Sequence, residues 1–257
     1  MTQFKLSHIR FLIVFLLTPF LLQAEDGSQL WLRFPEVKNG LNANKISIQS
    51  KSATANIAKK ELMSYWRGQA VELKLNKNLS HLKDGYQIKS TPNKIIVSSA
   101  QDIGLLYGVY HLLRLQETKT DINRLNISEK PSFDVRILNH WDNLDGTVER
   151  GYAGYSLWKW EDLPNKISPR YEAYARANAS IGINAVVLNN VNASPNILKS
   201  DYLQKVKVLA DIFRPYGIKV YLSVNFSSPK VIGGIENSDP MNVNVQDWWK
   251  NKTKEIY

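Results

Sequence analysis

The sequence predicts an α/β protein in two parts, and three observations carry that prediction. From Glu25 to Lys130 short strand-like runs and two helical patterns alternate between polar turns. Beyond Pro131 the rhythm changes to strand, long loop, helix, strand, the pattern of βα units on a parallel sheet. Composition agrees: 44% hydrophobic and 22% charged residues, with a mean hydropathy of −0.30, place the chain among globular proteins. At 257 residues it can bury a sizeable core.

Met1–Ala24 has the order of a secretory signal peptide. Lys5, His8 and Arg10 precede the apolar run Phe11–Leu22, and Ala24 offers a small residue for cleavage before Glu25-Asp26. That run falls short of the ~20 apolar residues a spanning helix needs. The expected product is exported, secreted or periplasmic, with no membrane attachment after cleavage. Losing Lys5 and Arg10 lowers the formal charge from +10 to +8. The remaining basic residues are dispersed without a nucleic-acid motif, so no nucleic-acid partner is expected. The sequence has no cysteine, which excludes disulfides and thiolate metal sites. His8, His81, His111 and His140 show no ligand spacing, and Gly233-Gly234 lacks the lysine of a phosphate loop. No metal or organic cofactor is expected.

Residues 25–130 read as a small α/β domain. Strands are predicted at Gln29–Phe34, Lys45–Gln49, Val71–Leu75, Tyr86–Ser90 and Lys94–Ser98, with a helix over Ala53–Trp66 that ends before Gly68. A second helix is predicted from an N-cap at Ser99 with Asp102 in its first turn. Ile103, Leu106, Tyr107, Tyr110 and Leu113 form its apolar face. Gly104 and Gly108, four apart, suit a close approach to a sheet. His111 on this helix reads as a packing histidine. Asp121–Pro131 reads as a polar linker.

From residue 131 three βα units are predicted. The strands are Val135–Asn139, Ala185–Leu188 and Lys219–Val224. The helices run from Ser168-Pro169 to Gly182, over Asp201–Tyr216, and from near Asp247 to the last residue given. Each strand is followed by an asparagine-bearing segment: Asn139-His140-Trp141-Asp142, Asn189-Asn190-Val191-Asn192 and Asn225-Phe226-Ser227-Ser228. Asparagine offers a donor and an acceptor, as sugar hydroxyls require, and it also favours turns.

Ile137–Trp160, ILNHWDNLDGTVERGYAGYSLWKW, is the most informative stretch. Trp141, Trp158, Trp160, Tyr152 and Tyr155 sit among His140, Asp142, Asp145, Glu149 and Arg150, with glycines at 146, 151 and 154. A long loop so rich in aromatics and charges suits a site for sugars, which have apolar faces and polar edges. The plainer alternative is a lid that caps a core with its tryptophans. The acids Asp142, Asp145, Glu149, Glu161 and Asp162 crowd one loop and do not obviously straddle a sugar; most read as turn formers or partners of Arg150, Lys159 and Lys166. Several Asn-x-Ser/Thr triplets occur, such as Asn78–Ser80 and Asn225–Ser227, and the latter, at a strand end, reads as coincidence.

On Leu138–Gly146, Glu149–Gly154 and Ser156–Trp160 the chain resembles the opening of the catalytic barrel of glycoside hydrolase family 67, the alpha-glucuronidases. Tyr107–Leu115 is similar to a segment of the N-terminal domain of several sugar-cleaving families. The resemblance implies residues 131–257 to be the first three βα units of a (β/α)8 TIM barrel, incomplete here. It implies inverting hydrolysis of the alpha-1,2 bond that joins (4-O-methyl)glucuronic acid to xylo-oligosaccharides in xylan degradation. The partners implied are glucuronoxylan-derived oligosaccharides. The family's catalytic carboxylates come from later strands, so no catalytic residue is assigned. Substrate contact carries over to Trp141 as a stacking platform and to Asn190 and Val191 as pocket lining, with Asp142 behind them or on a hydroxyl. The alternatives are a non-catalytic carbohydrate-binding fragment and a hexosaminidase-like glycosidase. Elements for oligomerisation, if any, lie elsewhere. Mass spectrometry of the exported fraction should find a mature chain starting near Glu25; intact Met1 on a cytosolic protein would refute the leader.

Overall fold

The computed structural model describes residues 27, 29–37, 45–192 and 194–257. The leader predicted at Met1–Ala24 lies outside the described residues. Two compact units divide at Arg33. In the first, the strand predicted at Gln29–Phe34 does not form. Residues 29–31 turn instead, with Leu30 at φ 51° and its N–H donating to Gly27 O (3.0 Å), and Leu32 N–H donating to Gln29 O (2.8 Å). No described helix is long and apolar enough to cross a membrane.

The second unit, Phe34–Tyr257, holds two sheets. The first uses β1 (Ile46–Ile48), β2 (Ala70–Leu75), β3 (Tyr86–Ser90), β4 (Lys94–Ser99) and β5 (Asn126–Glu129), in the order β1-β2-β4-β3-β5. β1, β2 and β4 run parallel, while β3 is antiparallel to both β4 and β5. β5 lies in the segment predicted to be a linker. NISE carries little strand signal, and pairing with β3 on the sheet edge makes it a strand.

Helices α1 (Ala53–Tyr65) and α2 (Asp102–Glu117) accompany this sheet. Ser52 caps α1 by accepting from Ala55 N–H (3.0 Å). Ser99 does not cap α2. It ends β4, fully buried, and donates its hydroxyl to Gly85 O (2.7 Å), so Gln101 takes the cap position without a side-chain bond. The two helix glycines act as predicted. A Cβ on Gly108 would lie 2.5 Å from Val97 Cγ1, and one on Gly104 would lie 2.5 Å from Gly85 O. His111 packs as predicted, with Nδ1 2.9 Å from the Tyr86 hydroxyl. Burial pushes the Tyr86 phenol up to about 12, so it stays protonated.

The second sheet is parallel, β6 (Ile137–Asn139), β7 (Ala185–Val187) and β8 (Lys219–Tyr221), in register Ile137–Ala185–Lys219. Helices α3 (Pro169–Ser180) and α4 (Ser200–Phe213) alternate with these strands, and α5 (Ser228–Gly233) and α6 (Val243–Ile256) follow β8. Ser168 caps α3 with proline at its first position, as predicted. α4 tightens into a 3-10 turn, Arg214–Tyr216, and stops at left-handed Gly217 (φ 72°). The short α5 escaped the sequence reading, since SPKVIG has too few residues to show a period.

Arginines join the two sheets. Arg176 on α3 grips the buried Glu61 of α1 through both carboxylate oxygens (2.6 and 2.8 Å), and Tyr110 of α2 donates to the same carboxylate (3.1 Å). Arg114 of α2 donates to Ser180 O at the end of α3 (2.6 Å), and Arg136 before β6 pairs with Asp84. Lys83 pairs with Asp134 at the surface.

Gly104→Ala and Gly108→Ala should each lower stability by ~1–3 kcal/mol through overpacking, despite a helix-propensity gain of about 1 kcal/mol. Denaturant midpoints check this, and an unchanged or raised midpoint would refute the close approach. For pH, burial and then the Arg114 charge lower the His111 pKa below its usual value. The unfolded chain therefore protonates first on acidification. The stabilisation is complete above about pH 6.5 and is lost as pH falls from there toward the lower folded-state pKa. Denaturation series from about pH 7.5 to 5.5 should show a decline in the parent that His111→Gln lacks; equal slopes would exonerate His111.

Candidate functional site

In open α/β sheets ligands bind beyond the carboxyl ends of the strands. Here β6 and β7 end beside the loop from His140 to Ser168. The loop begins as a small meander: Asp142 pairs with Val148, and Thr147 pairs with Tyr155. Glu149 N–H donates to Trp141 O (2.9 Å), and Ser156 N–H to Gly146 O (2.8 Å). Gly146, Gly151 and Gly154 all take positive φ, as the tight reversals demand.

Asp142 organises this loop. It is 3% exposed. Its Oδ2 accepts from the Ser156 hydroxyl (2.6 Å) and Leu157 N–H (3.0 Å), and its Oδ1 lies 3.5 Å from His140 Nδ1. Its backbone carbonyl accepts from Asn190 N–H (2.8 Å), which ties the end of β7 to the loop. His140 Nε2 meets the Tyr174 hydroxyl at 2.8 Å. Burial, and then the Asp142 charge, push the Tyr174 phenol well above its ordinary value, so it stays protonated.

The aromatics divide into two groups. Trp158 and Trp160 are core residues, as the lid alternative expected. Trp158 Nε1–H donates to Leu188 O (3.0 Å), and its ring is bedded among His140, Tyr171, Tyr174 and Phe213. Trp141 is 42% exposed, and Tyr152 and Tyr155 are more exposed still. The loop is thus both a lid and a carrier of open aromatic faces.

Of the predicted site residues, Trp141 and Val191 are exposed, while Asp142 and Asn190 are buried. The Asn190 side chain serves the loop. Its Nδ2 reaches Asn143 Oδ1 (3.3 Å) and Glu149 O (3.4 Å), and its Oδ1 accepts from Asn192 N–H (2.9 Å). Asn189 likewise bridges β7 to the end of the third strand through Ser223, by two bonds of 2.9 Å. Asp145 accepts from the hydroxyl and N–H of Thr147, which hold its carboxyl below the usual range. Asp162 pairs with Lys166. Among the described residues no group of three or more His, Asp or Glu side chains is placed to hold a metal ion.

Sequence reasoning counted Glu149 among the crowded loop acids and gave it no role at the site. Its backbone takes φ 57°, and its carboxyl Oε2 is buried without a hydrogen-bond partner. Nothing in the run Val148-Glu149-Arg150 marks a left-handed residue in advance. The glycine that follows at 151 marks the turn but not which residue is strained.

A profile of the glycosyl hydrolase family 67 middle domain matches residues 115–257. Alpha-glucuronidase A of Emericella nidulans is 39% identical over 182 residues, which cover 68% of this chain and 21% of that protein. The alpha-glucuronidase of Hypocrea jecorina is 37% identical over 190 residues, covering 72% and 22% respectively. The chain thus spans about a fifth of the length of these relatives. Among solved structures, a GH138 enzyme targeting pectin rhamnogalacturonan II superposes with a TM-score of 0.57 at 17% identity, over 80% of this chain and 28% of its own. A family GH115 4-O-methyl-alpha-glucuronidase with specificity for decorated arabinogalactans gives 0.52 at 14% identity, over 82% and 34%. Likeness at such identities is one of fold. The profile match covers more than half of the residues and includes the whole strand-end loop, and the chain belongs to glycosyl hydrolase family 67.

Proposed function

We propose that this chain is the N-terminal part of an exported alpha-glucuronidase. Residues 25–130 form its leading α/β domain, and residues 131–257 begin a (β/α)8 barrel that later segments complete. The substrate class is short xylan fragments bearing (4-O-methyl)glucuronic acid, cleaved at the alpha-1,2 bond with inversion. That reaction needs an acid to protonate the leaving oxygen and a carboxylate to activate water on the opposite face of the sugar. Asp142, Asp145 and Asp162 are engaged in contacts within the loop, which supports placing the acid and the base on later strands. Trp141 forms one wall of the glucuronic acid pocket and Val191 lines it, with the buried Asn190 and Asp142 behind them holding the wall in place. The reaction requires no metal or organic cofactor.

The observation that carries this reading is the exposed ring of Trp141, directly after β6, on a loop whose other tryptophans are buried. A folded protein keeps a large ring in water at a cost that stacking on a sugar face removes. The second reading, a carbohydrate-binding chain without turnover, is favoured by the engagement of Asp142 and Asp145 in loop contacts.

In the complete protein Trp141→Ala should fold normally and lose ~2–4 kcal/mol of transition-state stabilisation, roughly 30- to 1000-fold in kcat/KM on aldouronic acids. Thermal melts and kinetics on the same variant decide the matter. A stable variant with unchanged kcat/KM removes the binding role, and a variant that cannot fold assigns Trp141 to the core. The 257-residue chain alone should bind without turnover. Turnover by it at the rate of the complete enzyme would place the catalytic carboxylates within these residues.

A further inference from the structure

Glu149 sits in the loop at a cost that loop closure does not require. Its φ of 57° is a region that a β-carbon disfavours. Three hydrogen bonds hold it there. Its N–H donates to Trp141 O (2.9 Å), and its carbonyl accepts from Asn143 Nδ2 (2.7 Å) and Asn190 Nδ2 (3.4 Å). All three use the backbone of residue 149, so glycine or asparagine there would keep them with less strain. The side chain is equally uneconomic. It is 15% exposed, with Oε2 buried and without a partner, and Arg150 Nε lies 3.8 Å from Oε1 on a side chain 83% exposed. A buried acceptor left open costs stability, as does backbone strain, and the two together at one residue point to a function outside the fold.

Position says which function. Asp142 and Val148 are bridged, so the next pair outward sets Glu149 across from Trp141. A carboxylate borne on the residue paired with an exposed tryptophan suits a pyranose, whose ring stacks while its hydroxyls donate. The terminal torsion of glutamate is broad, so the open oxygen can turn toward the mouth without moving the backbone.

We propose that Glu149 is a substrate-binding residue whose carboxylate accepts a hydrogen bond from a ring hydroxyl of the sugar stacked on Trp141. This rests on the sugar-pocket reading above. A carboxylate accepts but does not donate, and it repels a second carboxylate. Glu149 therefore also sets the direction of a uronic acid, hydroxyl edge toward it and acid edge away.

The test uses the complete protein with Glu149→Gln, Glu149→Asn and Trp141→Ala side by side. For each, Tm and kcat/KM on aldouronic acids are measured. Glu149→Gln keeps the shape and removes the charge, and it should lose tenfold or more in kcat/KM, at least about 1.4 kcal/mol. Its Tm should hold or rise. Glu149→Asn tolerates the left-handed backbone and should raise Tm while losing activity. A fall in Tm for both variants would show a structural carboxylate and overturn the proposal. Unchanged kcat/KM in both Glu149 variants, beside a damaged Trp141→Ala, would overturn it while leaving the pocket intact. Unchanged kcat/KM in all three would remove the pocket itself.

Discussion

The candidate site depends on one buried carboxylate. Between Asn139 and Ser168 the chain has no helix or long strand, and ordering each residue costs roughly 1–2 kcal/mol in backbone entropy. Asp142 repays part of this at the point where the loop leaves the sheet. Its Oδ2 takes a hydroxyl and an N–H from Ser156 and Leu157, and such charge-assisted bonds are stronger than neutral ones. Ser156 passes the order on, since its hydroxyl oxygen accepts from Trp158 N–H (3.0 Å). Trp158 then carries the chain into the core, between β7 and the aromatic rings of α3 and α4. Strand end, carboxylate, serine and tryptophan form one chain of consequences. Removing its first link would leave buried donors without an acceptor.

Beneath the loop, the strands that carry it are fixed by residues just before they begin. Arg136 and Asn184 exchange bonds, Arg136 N–H to Asn184 Oδ1 (2.8 Å) and Asn184 N–H to Arg136 O (3.0 Å). Lys219 N–H donates to Asn184 O (2.9 Å), so all three strands start in register. The Arg136 guanidinium simultaneously pairs with Asp84. With the Glu61–Arg176 clamp, this makes the first sheet part of the foundation of the second. A buried pair of this kind adds little net stability over apolar packing, but losing either partner strands the other charge. Its contribution is therefore to geometry more than to stability. The helix that receives the loop cannot drift from the sheet that launches it.

Much of this was legible in the sequence, for identifiable reasons. Ser168-Pro169 announces α3 because serine accepts from one orphan N–H of the first turn and proline at the first helical position removes another, as at any helix start. Gly104 and Gly108 announce a close approach because only a missing β-carbon permits it. What escaped was decided by partners distant in sequence. Ser99 looks like a cap, yet it is claimed by Gly85 O, just before β3. NISE looks like linker until β3 pairs with it. The loop's aromatic content was plain, but which rings face water was not, since Trp158 goes inward only because Leu188 O and three aromatic neighbours receive it. The strained backbone of Glu149 escaped for the same reason: it is imposed by Asn143 and Asn190, not by its own neighbours in sequence.

The asparagines reveal how the strand ends divide their labour. Repeated at three strand ends, they suggested groups offered to a sugar. Asn189 instead bridges two strand ends, and Asn190 and Asn143 pin the loop. An amide suits this work because it donates and accepts at once and carries no charge that must be neutralised when buried. With Asn143, Asn189 and Asn190 committed to the scaffold, the exposed groups at these ends are the apolar Trp141, Val191 and Phe226 and the uncharged Asn139 and Asn192. Such a surface stacks on and shapes around a ring but moves no proton. On the function proposed above, this part of the enzyme then supplies orientation, through faces rigid enough to hold a sugar within the tolerance that attack requires. The acid and the base that move protons belong on other strands, away from a carboxylate such as Asp142 that this loop needs to stay folded.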